Sequence, residues 1–354
     1  MQDGFTVLTT GDADEWDRCL SLLPESVRDI HFTAAYHRMY EANGDGSGRL
    51  FCFMDNGRVF LYPFLIRPVP EGLVPEECFD ISSPYGYSGP LSSSEDSDFL
   101  AAADAALRSY CRSTRVVTEF IRFHPLVDNF RFMMQAVDLE VIHLRDYIAV
   151  KVAQSEEDQL TSYASRNRNT LRKAMREGVV VRSSDDFSVF VSLYLENMRQ
   201  LNAAPMYFFS GAFFGHLEQL SRQGGCSLVA EHEGAAVGAA VFLYSGAYGH
   251  YYLASANPAG RALGAGNLLL HEGINRCRES GVRLVHLGGG LTGASDDPLL
   301  AFKKSFSPDT VPYYIGRRVH DEETCRRLVQ EWEKRHPDLA TKYAGQLQCY
   351  RQTS

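Results

Sequence analysis

The sequence lacks the short motifs that announce most metal and nucleophile chemistry. Its eight cysteines form no C-x-x-C pair, its eleven histidines form no H-x-x-x-H or H-E-x-x-H, and neither a G-x-S-x-G elbow nor a Walker loop occurs. These absences argue against the common zinc sites, the serine-hydrolase elbow and the P-loop. We therefore expect no bound metal, and we expect the cysteines to be free thiols in a reducing compartment.

Long apolar segments are missing as well. No run of 18 apolar residues occurs and no apolar stretch follows a basic start, which predicts neither a membrane span nor a signal peptide and favours the cytoplasm. The net charge of −9 argues against a protein coated with nucleic acid but leaves room for a local basic groove. Nothing in the sequence predicts the oligomeric state.

The length and the order of elements predict two domains of one kind. The chain has 354 residues and is 45% hydrophobic, which is enough for two cores. Each half reads as helices, a hairpin, a further strand and a helix, with the hairpin turns at Asp55-Asn56-Gly57 and Glu233-Gly234. We predict two copies of an α/β (α+β) fold, each a mixed sheet flanked by helices, at 1–150 and 151–320, with a helical extension at 321–354.

A glycine-rich turn in the second half is the motif closest to chemistry. Arg261-x-x-Gly264-x-Gly266-Asn267 follows predicted strands and precedes a helical run from Leu268. Glycines there leave the first helical N–H groups approachable, so the turn can hold an anion or an activated carbonyl, and Arg261 adds charge suited to a phosphate. The alternative is a helix-initiating turn without a ligand.

A lysine pair and a triple glycine follow this turn. Lys303 and Lys304 lie between Phe302 and Phe306, and the aromatics are expected to hold one lysine inward, with Lys303 favoured. An inward lysine could stabilise the oxyanion formed when an amine attacks an ester or thioester. The alternative is a solvated pair.

The triple glycine, Gly288-Gly289-Gly290, ends a predicted strand and permits close approach of the backbone. The alternative is a plain exit from strand to loop. Asp296 and Asp297 follow, and they either bind a substrate amine or are solvated.

A basic stripe marks the start of the second half. Arg168, Arg172 and Arg176 recur at i, i+4 spacing, with Lys173 beside them, in a segment predicted to be one helix from Ser155 to Glu177. The stripe is suited to the phosphates of an RNA or nucleotide. The alternative is a surface helix with intramolecular ion pairs.

Several tyrosines are candidates for a pocket wall. Tyr85 and Tyr87 lie in a glycine-proline loop, Tyr207 lies in an aromatic-rich segment, and Tyr251 and Tyr252 alternate on a strand so that only one of them can face a cleft. Of the histidines, His124, His271 and His286 could each act as a base, but no sequence pattern pairs them with a nucleophile. Transfer of a reactive acyl group to an amine needs no catalytic triad, only positioning, an oxyanion stabiliser and a route for the lost proton.

Four segments in order resemble the Fem-type transferases. They are the basic segment Tyr163–Val179, the loop Ser83–Leu91, the run from Asn267 to Gly281 with His286–Gly290, and Phe302–Phe306. The resemblance covers about residues 30 to 310. It implies two GNAT-like domains, an aminoacyl group taken from aminoacyl-tRNA, and an amine acceptor on a peptidoglycan precursor or peptide natural product.

The resemblance also implies roles for individual residues. Lys303 or Lys304 would act on the ester carbonyl, and Tyr252 would lie in the acceptor cleft. The donor-binding set is then Arg261, Gly264, Gly266, Asn267, Arg168, Arg172 and Lys173. The acceptor-binding set is Tyr85, Tyr87, Tyr207, Tyr252, Gly288 and Gly289.

Three functions stay open at this point. The favoured one is amide-bond formation from aminoacyl-tRNA, with the donor as a co-substrate and no tightly bound cofactor. Because the Arg261 motif also resembles the pyrophosphate turn of GNAT acetyltransferases, an acyl-CoA donor is the alternative. A non-catalytic binding protein on the same fold is the third, which the presence of the lysine pair disfavours.

Overall fold

The computed structural model describes residues 4–136, 138–292, 294 and 296–352. Contacts divide the chain into two compact units. The first unit holds the residues up to Val27, His31–Leu144 and the residues from Tyr313 onward; the second unit holds Arg28–Ile30 and Arg145–Pro312. None of the described helices is long and apolar enough to cross a membrane.

The regular elements follow the predicted order closely. The described helices are α1 (Ala13–Ser21), α2 (Ala34–Asn43), α3 (Ser97–Ser113), α4 (Glu156–Ser162), α5 (Ser165–Arg176), α6 (Phe187–Gln200), α7 (Gly211–Gln223), α8 (Pro258–Leu263), α9 (Ala265–Glu279), α10 (Pro298–Lys304), α11 (Glu322–Arg335) and α12 (Pro337–Ala340). The described strands are β1 (Gly4–Thr9), β2 (Ser47–Asp55), β3 (Arg58–Pro68), β4 (Phe79–Ser82), β5 (Leu91–Ser92), β6 (Val116–Arg122), β7 (Glu140–Lys151), β8 (Val180–Ser183), β9 (Gly225–His232), β10 (Ala235–Ser245), β11 (Tyr248–Ala256), β12 (Leu284–Gly288) and β13 (Thr310–Val319).

The first unit orders its strands β1-β2-β3-β4-β6-β13, with β5 beside β3. Only β4 and β6 are parallel among these neighbours. An aromatic core that includes Phe51, Tyr62, Phe64 and Leu107 lies between the sheet and α3. Burial of such large apolar side chains supplies most of the driving force for folding.

The C-terminal segment belongs to the first unit. β13 pairs with β6 from Ile315–Arg122 to Val319–Thr118, and Trp332 and Tyr350 lie in an apolar cluster with Val117 of β6. The predicted ranges placed 313–320 in the second domain and 321–354 in a separate extension. The contacts differ because this pairing joins residues far apart in sequence, which no local pattern reveals.

The second unit orders its strands β7-β12-β11-β10-β9-β8, and here only β11 and β12 are parallel. The unit's part of β7 begins at Arg145. Its core includes Leu228, Phe242, Leu269 and Val285, with α9 packed on the sheet. The two units thus have the same strand arrangement, an antiparallel meander followed by a parallel pair.

Two predicted elements differ in detail. The helix predicted from Ser155 to Glu177 is broken, because Tyr163 adopts an extended conformation and the N–H of Ala164 donates to the carbonyl of Ser305 at 3.0 Å. Buried Tyr163 packs edge-on against Phe306, with 5.0 Å between ring centroids. The Arg261 motif is only partly a turn, since α8 takes its first half. The break and the short helix both serve to place side chains of the site.

Candidate active site

Two parallel strands part at the centre of the second unit. β11 and β12 pair in register from Tyr248–Leu284 to His250–His286, and both strands continue beyond that last pair. Strands that part leave main-chain N–H and C=O groups for a ligand, since every such group needs a hydrogen-bond partner. The opening is therefore a place where an extended acyl donor could lie.

The α8–α9 turn, centred on Gly264, follows β11, the strand on one side of this opening, and both of its helices contact that strand. Asn257 caps α8 by accepting from the N–H of Gly260 at 2.8 Å, and Gly264 then takes φ +78°, a conformation that favours glycine. A Cβ on Gly266, at the start of α9, would meet no atom within 4 Å. A ligand can thus approach the positive end of the α9 dipole closely at Gly266.

The basic helix α5 packs against this turn. A Cβ on Gly264 would lie 2.7 Å from Cγ2 of Thr170, and Lys173 donates to the carbonyl of Ala262 at 3.1 Å. Asn267 donates to Oδ1 of the buried Asn167 at 2.9 Å. The two halves of the predicted donor set, which are about a hundred positions apart in sequence, are therefore neighbours.

Asn167 also reaches the lysine helix. Its Nδ2 donates to the carbonyl of Ser305 at 3.3 Å, at the end of α10. One buried amide thus fixes the spacing between the α8–α9 turn and the segment that carries Lys303. No sequence pattern singled out Asn167 for this task.

The arginines of the donor set are partly committed to the fold. Arg261 donates to Oδ1 of Asn197 at 3.0 Å and to the carbonyl of Ala256 at 2.5 Å, so it ties α8 to α6 and to the end of β11. Arg168 donates to the carbonyl of Tyr163 across the break before α5. Their remaining N–H groups are the ones that a phosphate could use.

An open cavity of about 710 Å³ lies beside α4 and α5. Its lining residues are Glu156, Glu157, Leu160, Thr161, Arg168 and Arg172. Arg172 is exposed, and its side chain donates to Oδ1 of Asn169 at 3.3 Å. The cavity therefore offers both signs of charge rather than a purely basic surface.

Lys303 is the buried member of the lysine pair. It is 8% exposed, and its Nζ donates to the carbonyl of Gly289 at 2.7 Å, whereas Lys304 is exposed. Burial lowers the pKa of Lys303 to about 8, and nearby Asp297 opposes that shift. Lys303 is thus a cation near neutral pH, held directly beneath the triple glycine.

The triple glycine forms a bare backbone exit from β12, and we call Gly288, Gly289 and Gly290 the glycine exit. Gly288 has φ +78°, and a Cβ there would lie 3.2 Å from Nζ of Lys303. A Cβ on Gly289 would lie 2.5 Å from Cε1 of Tyr147, and one on Gly290 only 2.6 Å from Cγ of Asp297. Side chains close in on all three positions, so the exit requires glycine.

Asp297 is neither a solvated acid nor an open amine site. It is 3% exposed and caps α10 by accepting from Leu299 and Leu300 at 2.8 and 3.0 Å, and it accepts from the N–H of Thr292 at 2.6 Å. These hydrogen bonds, the one from Thr292 first, lower its pKa to about 2. Asp297 therefore holds the loop after the glycine exit against the helix that carries Lys303, and Asp296 is exposed.

The candidate tyrosines lie in different places. Tyr251 packs against Phe242 in the core, and burial raises its pKa, while the register shift between β10 and β11 makes Tyr252 the extra residue of a bulge. A bulge re-aims a side chain, which suits Tyr252 for a cleft. Tyr207 lies in the second unit, where its carbonyl accepts from Tyr194 at 2.9 Å.

Tyr85 and Tyr87 belong to the first unit. The Tyr85 carbonyl accepts from the Tyr36 hydroxyl at 2.7 Å, and the Tyr85 side chain is 38% exposed. Tyr87 packs near His31 and His124, with ring centroids 5.3 and 5.7 Å away. The predicted acceptor set thus draws on both units.

Histidine chemistry in the second unit depends on long-range partners. His286 lies beside Tyr147 and His250, with ring centroids 5.4 and 5.8 Å apart, and Nε2 of His250 contacts Oδ2 of buried Asp29 at 2.8 Å. His271 is instead enclosed by Tyr163 and Glu156. Asp29 is over two hundred positions from His250, so sequence reasoning had no means of pairing them.

Sequence reasoning also missed the two β7 residues that face the glycine exit. Tyr147 and Arg145 alternate along β7, and a Cβ on Gly289 would lie 2.5 Å from the Tyr147 ring and 3.6 Å from Cδ of Arg145. The i, i+2 spacing puts both on one face of the strand. A lone Arg-x-Tyr carries no signal by itself.

Two comparisons with known proteins show what this chain is similar to. Residues 162–304 match the family model described as an acetyltransferase (GNAT) domain. A crystal structure of FemX superposes with a TM-score of 0.69 at 14% identity, covering 92% of this chain and 99% of that one. The chain therefore has a double GNAT-like fold similar to that of FemX.

Other solved structures share the double GNAT-like fold. One is a conserved protein of unknown function from Bacteroides thetaiotaomicron, with a TM-score of 0.58, 14% identity, and coverage of 90% of this chain and 100% of that one. Another is the C-terminal domain (DUF2156) of a putative lysylphosphatidylglycerol synthetase from Agrobacterium fabrum, with a TM-score of 0.52, 12% identity, and coverage of 93% and 96%. Among curated proteins, none matches the sequence.

The fold and the family match agree on a class of chemistry. The matched residues 162–304 include the α8–α9 turn, the glycine exit and Lys303. Together with the double GNAT-like fold, they support an acyltransferase, a transferase of the EC 2.3 type.

Proposed function

We propose that the protein forms an amide bond by moving an aminoacyl group from aminoacyl-tRNA to an amine of a peptide natural product or a peptidoglycan precursor. The observation that carries the proposal is Lys303, a buried cation 2.7 Å from the carbonyl of Gly289 at the glycine exit. The cytoplasm, where aminoacyl-tRNA is made, is its proposed location.

The proposed step needs few groups. The neutral amine nitrogen attacks the ester carbonyl carbon, a C–N bond forms, and the negative charge on the carbonyl oxygen is stabilised by the ammonium of Lys303. The C–O bond to the ribose then breaks, and the proton lost by the amine ends on the departing ribose oxygen. His286, beside the glycine exit, is placed to relay that proton: a Cβ on Gly288 would lie 3.9 Å from its Cε1.

The donor set supports a phosphate-bearing donor. Lys173 on α5 lies next to the α8–α9 turn, and the start of α9 is open at Gly266. Basic side chains beside a helix N-terminus suit the phosphates of an RNA terminus.

Acyl-CoA is the second candidate donor, and the acetyltransferase (GNAT) family match over residues 162–304 favours it. The chemistry at Lys303 is unchanged, except that a C–S bond breaks and the thiol takes the proton. The two donors differ in what must pass the α8–α9 turn, a nucleic acid end or a pantetheine arm.

The decisive experiment offers both donors to one protein. Purified protein receives a mixed aminoacyl-tRNA pool or acetyl-CoA, together with a panel of peptide amines, and mass spectrometry identifies new amides. Treatment of the donor with RNase should abolish product from the tRNA pool. Product from acetyl-CoA but not from the tRNA pool would assign the CoA donor, and no product from either would contradict acyl transfer.

The role of Lys303 has its own test. Lys303→Met should lower kcat by roughly 10²-fold or more, because the oxyanion loses its charged donor. Lys304→Met should cost far less, since Lys304 is exposed. The exposed Lys151→Met, on β7, is the matched control for loss of one positive charge. Equal rates for Lys303→Met and wild type would remove Lys303 from the mechanism.

A further inference from the structure

Arg145 stands at the glycine exit with a guanidinium that is only partly satisfied by the described residues. Its Nε is buried and has no hydrogen-bond partner among the described residues. Its NH1 donates to the carbonyl of Thr292 at the limiting distance of 3.5 Å. No carboxylate within the described part of the chain forms an ion pair with it, unlike Lys151 on the same strand, which pairs with Asp309 at 3.1 Å.

The charges around the exit leave an excess of positive charge. Arg145 and Lys303 both lie against Gly289, one on its Cα side and the other at its carbonyl. Asp297 is the acid that interacts with Lys303, and its oxygens already accept from Thr292, Leu299 and Leu300. A buried unpartnered donor on a charged group is costly, so such a donor points to a ligand.

The position of Arg145 assigns that ligand to the acceptor side. β7 flanks β12 on the edge opposite β11, while the α8–α9 turn and α5 lie with β11 and α9. A donor that enters between β11 and β12 brings its carbonyl to the glycine exit from one side. A group bound by Arg145 lies on the other side, where the attacking amine must stand.

We propose that Arg145 binds a carboxylate or phosphate carried by the acceptor close to its reactive amine. The guanidinium fork matches either anion in a bidentate manner. The acceptor is then an amino acid, a peptide with a free carboxylate near its amine, or a phosphorylated amine. This inference rests on the proposed acyl transfer and narrows its acceptor to anionic amines.

The experiment compares matched pairs of amines. The pairs are L-alanyl-L-alanine with its C-terminal amide, glycine with glycinamide, and O-phosphoethanolamine with ethanolamine, each offered with the donor that supports turnover. We expect the anionic member of at least one pair to be preferred by wild type. Arg145→Met should lower kcat/KM for that member roughly 10- to 100-fold and leave the neutral member nearly unchanged. Which pair discriminates tells a carboxylate from a phosphate.

Two further variants separate recognition from folding. Arg145→Lys keeps the charge but loses the fork, so it should recover only part of the preference. Lys151→Met removes a basic side chain from the same strand and should keep the full preference. Ethylguanidinium added to Arg145→Ala should restore part of the rate with the anionic amine, which a merely misfolded variant would not show.

Ligand-observed NMR provides a readout that does not need turnover. Saturation transfer from wild type should be stronger to the anionic member of the preferred pair, and Arg145→Met should equalise the two signals. Product formation without any preference that depends on Arg145 would overturn the inference and leave the acyl transfer standing. Equal NMR signals with wild type and Arg145→Met for every pair would overturn it even where no product forms.

Discussion

The parallel strand pair is closed in the first unit and open in the second. β4 and β6 pair from Phe79–Val116 to Ser82–Phe120, and main-chain bonds continue beyond them at Ser83 N to Phe120 O, 3.0 Å, and Ser88 N to Arg122 O, 2.8 Å. β11 and β12 stop pairing while both strands still run on. The same strand order thus gives a continuously paired sheet in the first unit and, in the second unit, an opening that could accept a ligand.

Individual buried charges of the two units show a similar contrast. In the first unit Asp80 accepts from Arg67 at 2.7 Å and from Arg351 at 2.5 Å, so a buried carboxylate is satisfied by two arginines. In the second unit Lys303 and Arg145 face backbone rather than carboxylates. Saturated charges stabilise a fold, whereas unsaturated ones are available to a substrate.

The largest expected effect is a loss of stability when a buried ion pair of the first unit is disrupted. Glu119 is fully buried with Arg318 and His320; burial alone would raise its pKa, but these neighbours lower it below its ordinary value. Glu119→Gln leaves the guanidinium of Arg318 short of a buried partner and should reduce the free energy of unfolding by about 3–5 kcal/mol in urea titrations.

The control for that variant is the exposed pair of Glu331 with Arg335, where Glu331→Gln should change almost nothing. A folded-state pKa below the unfolded one means that Glu119 stabilises the protein above the unfolded value of about 4.3, and that this stability is lost as the pH falls through the folded pKa. A Glu119→Gln loss that stayed below 1 kcal/mol at neutral pH would contradict the comparison.

The second prediction concerns the stability that the second unit loses by burying the charge of Lys303. Because burial lowers the pKa of Lys303 to about 8, its charge costs stability below that pH, and the cost disappears as the pH rises towards the unfolded value of about 10.4. Lys303→Met should therefore raise the free energy of unfolding at pH 7 by up to about 3 kcal/mol while reducing activity.

The pH dependence distinguishes this cause from better packing of methionine. The difference between variant and wild type should shrink between pH 8 and 10, as urea titrations at several pH values would show. A difference that stays constant over that range would mean that Lys303 is not strained by its burial.

The smallest expected effects come from substitutions of the two glycines at the α8–α9 turn. Gly264→Ala must adopt φ +78° with its Cβ 2.7 Å from Thr170, which should cost about 1–3 kcal/mol in thermal or urea unfolding. Gly266→Ala points into open space and should leave stability intact. If the donor passes over the start of α9, the methyl group of Gly266→Ala should raise the KM for the donor and leave the KM for the amine unchanged. Loss of stability in both variants would refute this division of roles.

Local chemistry explains which parts of the fold could be predicted. Both hairpin turns have left-handed backbones, at Asn56 and Gly57 and at Glu233 and Gly234, as their sequences indicate. Thr33 caps α2 by accepting from the N–H of Tyr36 at 3.2 Å, a role for which threonine is a preferred residue. Such features depend on residues three or four apart and are legible in one sequence.

The remaining features depend on distant residues. Arg145 acquires meaning only because β7 pairs with β12, and Asn167 only because α5 meets both Asn267 and Ser305. The lysine pair and the glycines could be named from the sequence as candidates. Lys303 could be favoured as the inward lysine because it follows Phe302, but its contact with Gly289 and the atoms that lie against each glycine depend on tertiary packing that no short motif encodes.

The divided first unit has a consequence for how the chain is made. On the ribosome, residues 145–312 emerge before β13, so the second unit can fold while the first still lacks the strand that completes its sheet. Until then the edge of β6 is unpaired. Asp80 and Glu119 also lack the partners Arg351 and Arg318, which are synthesised late. Nascent chains that stall before β13 should therefore be protected from protease in the second unit and cleaved in the first.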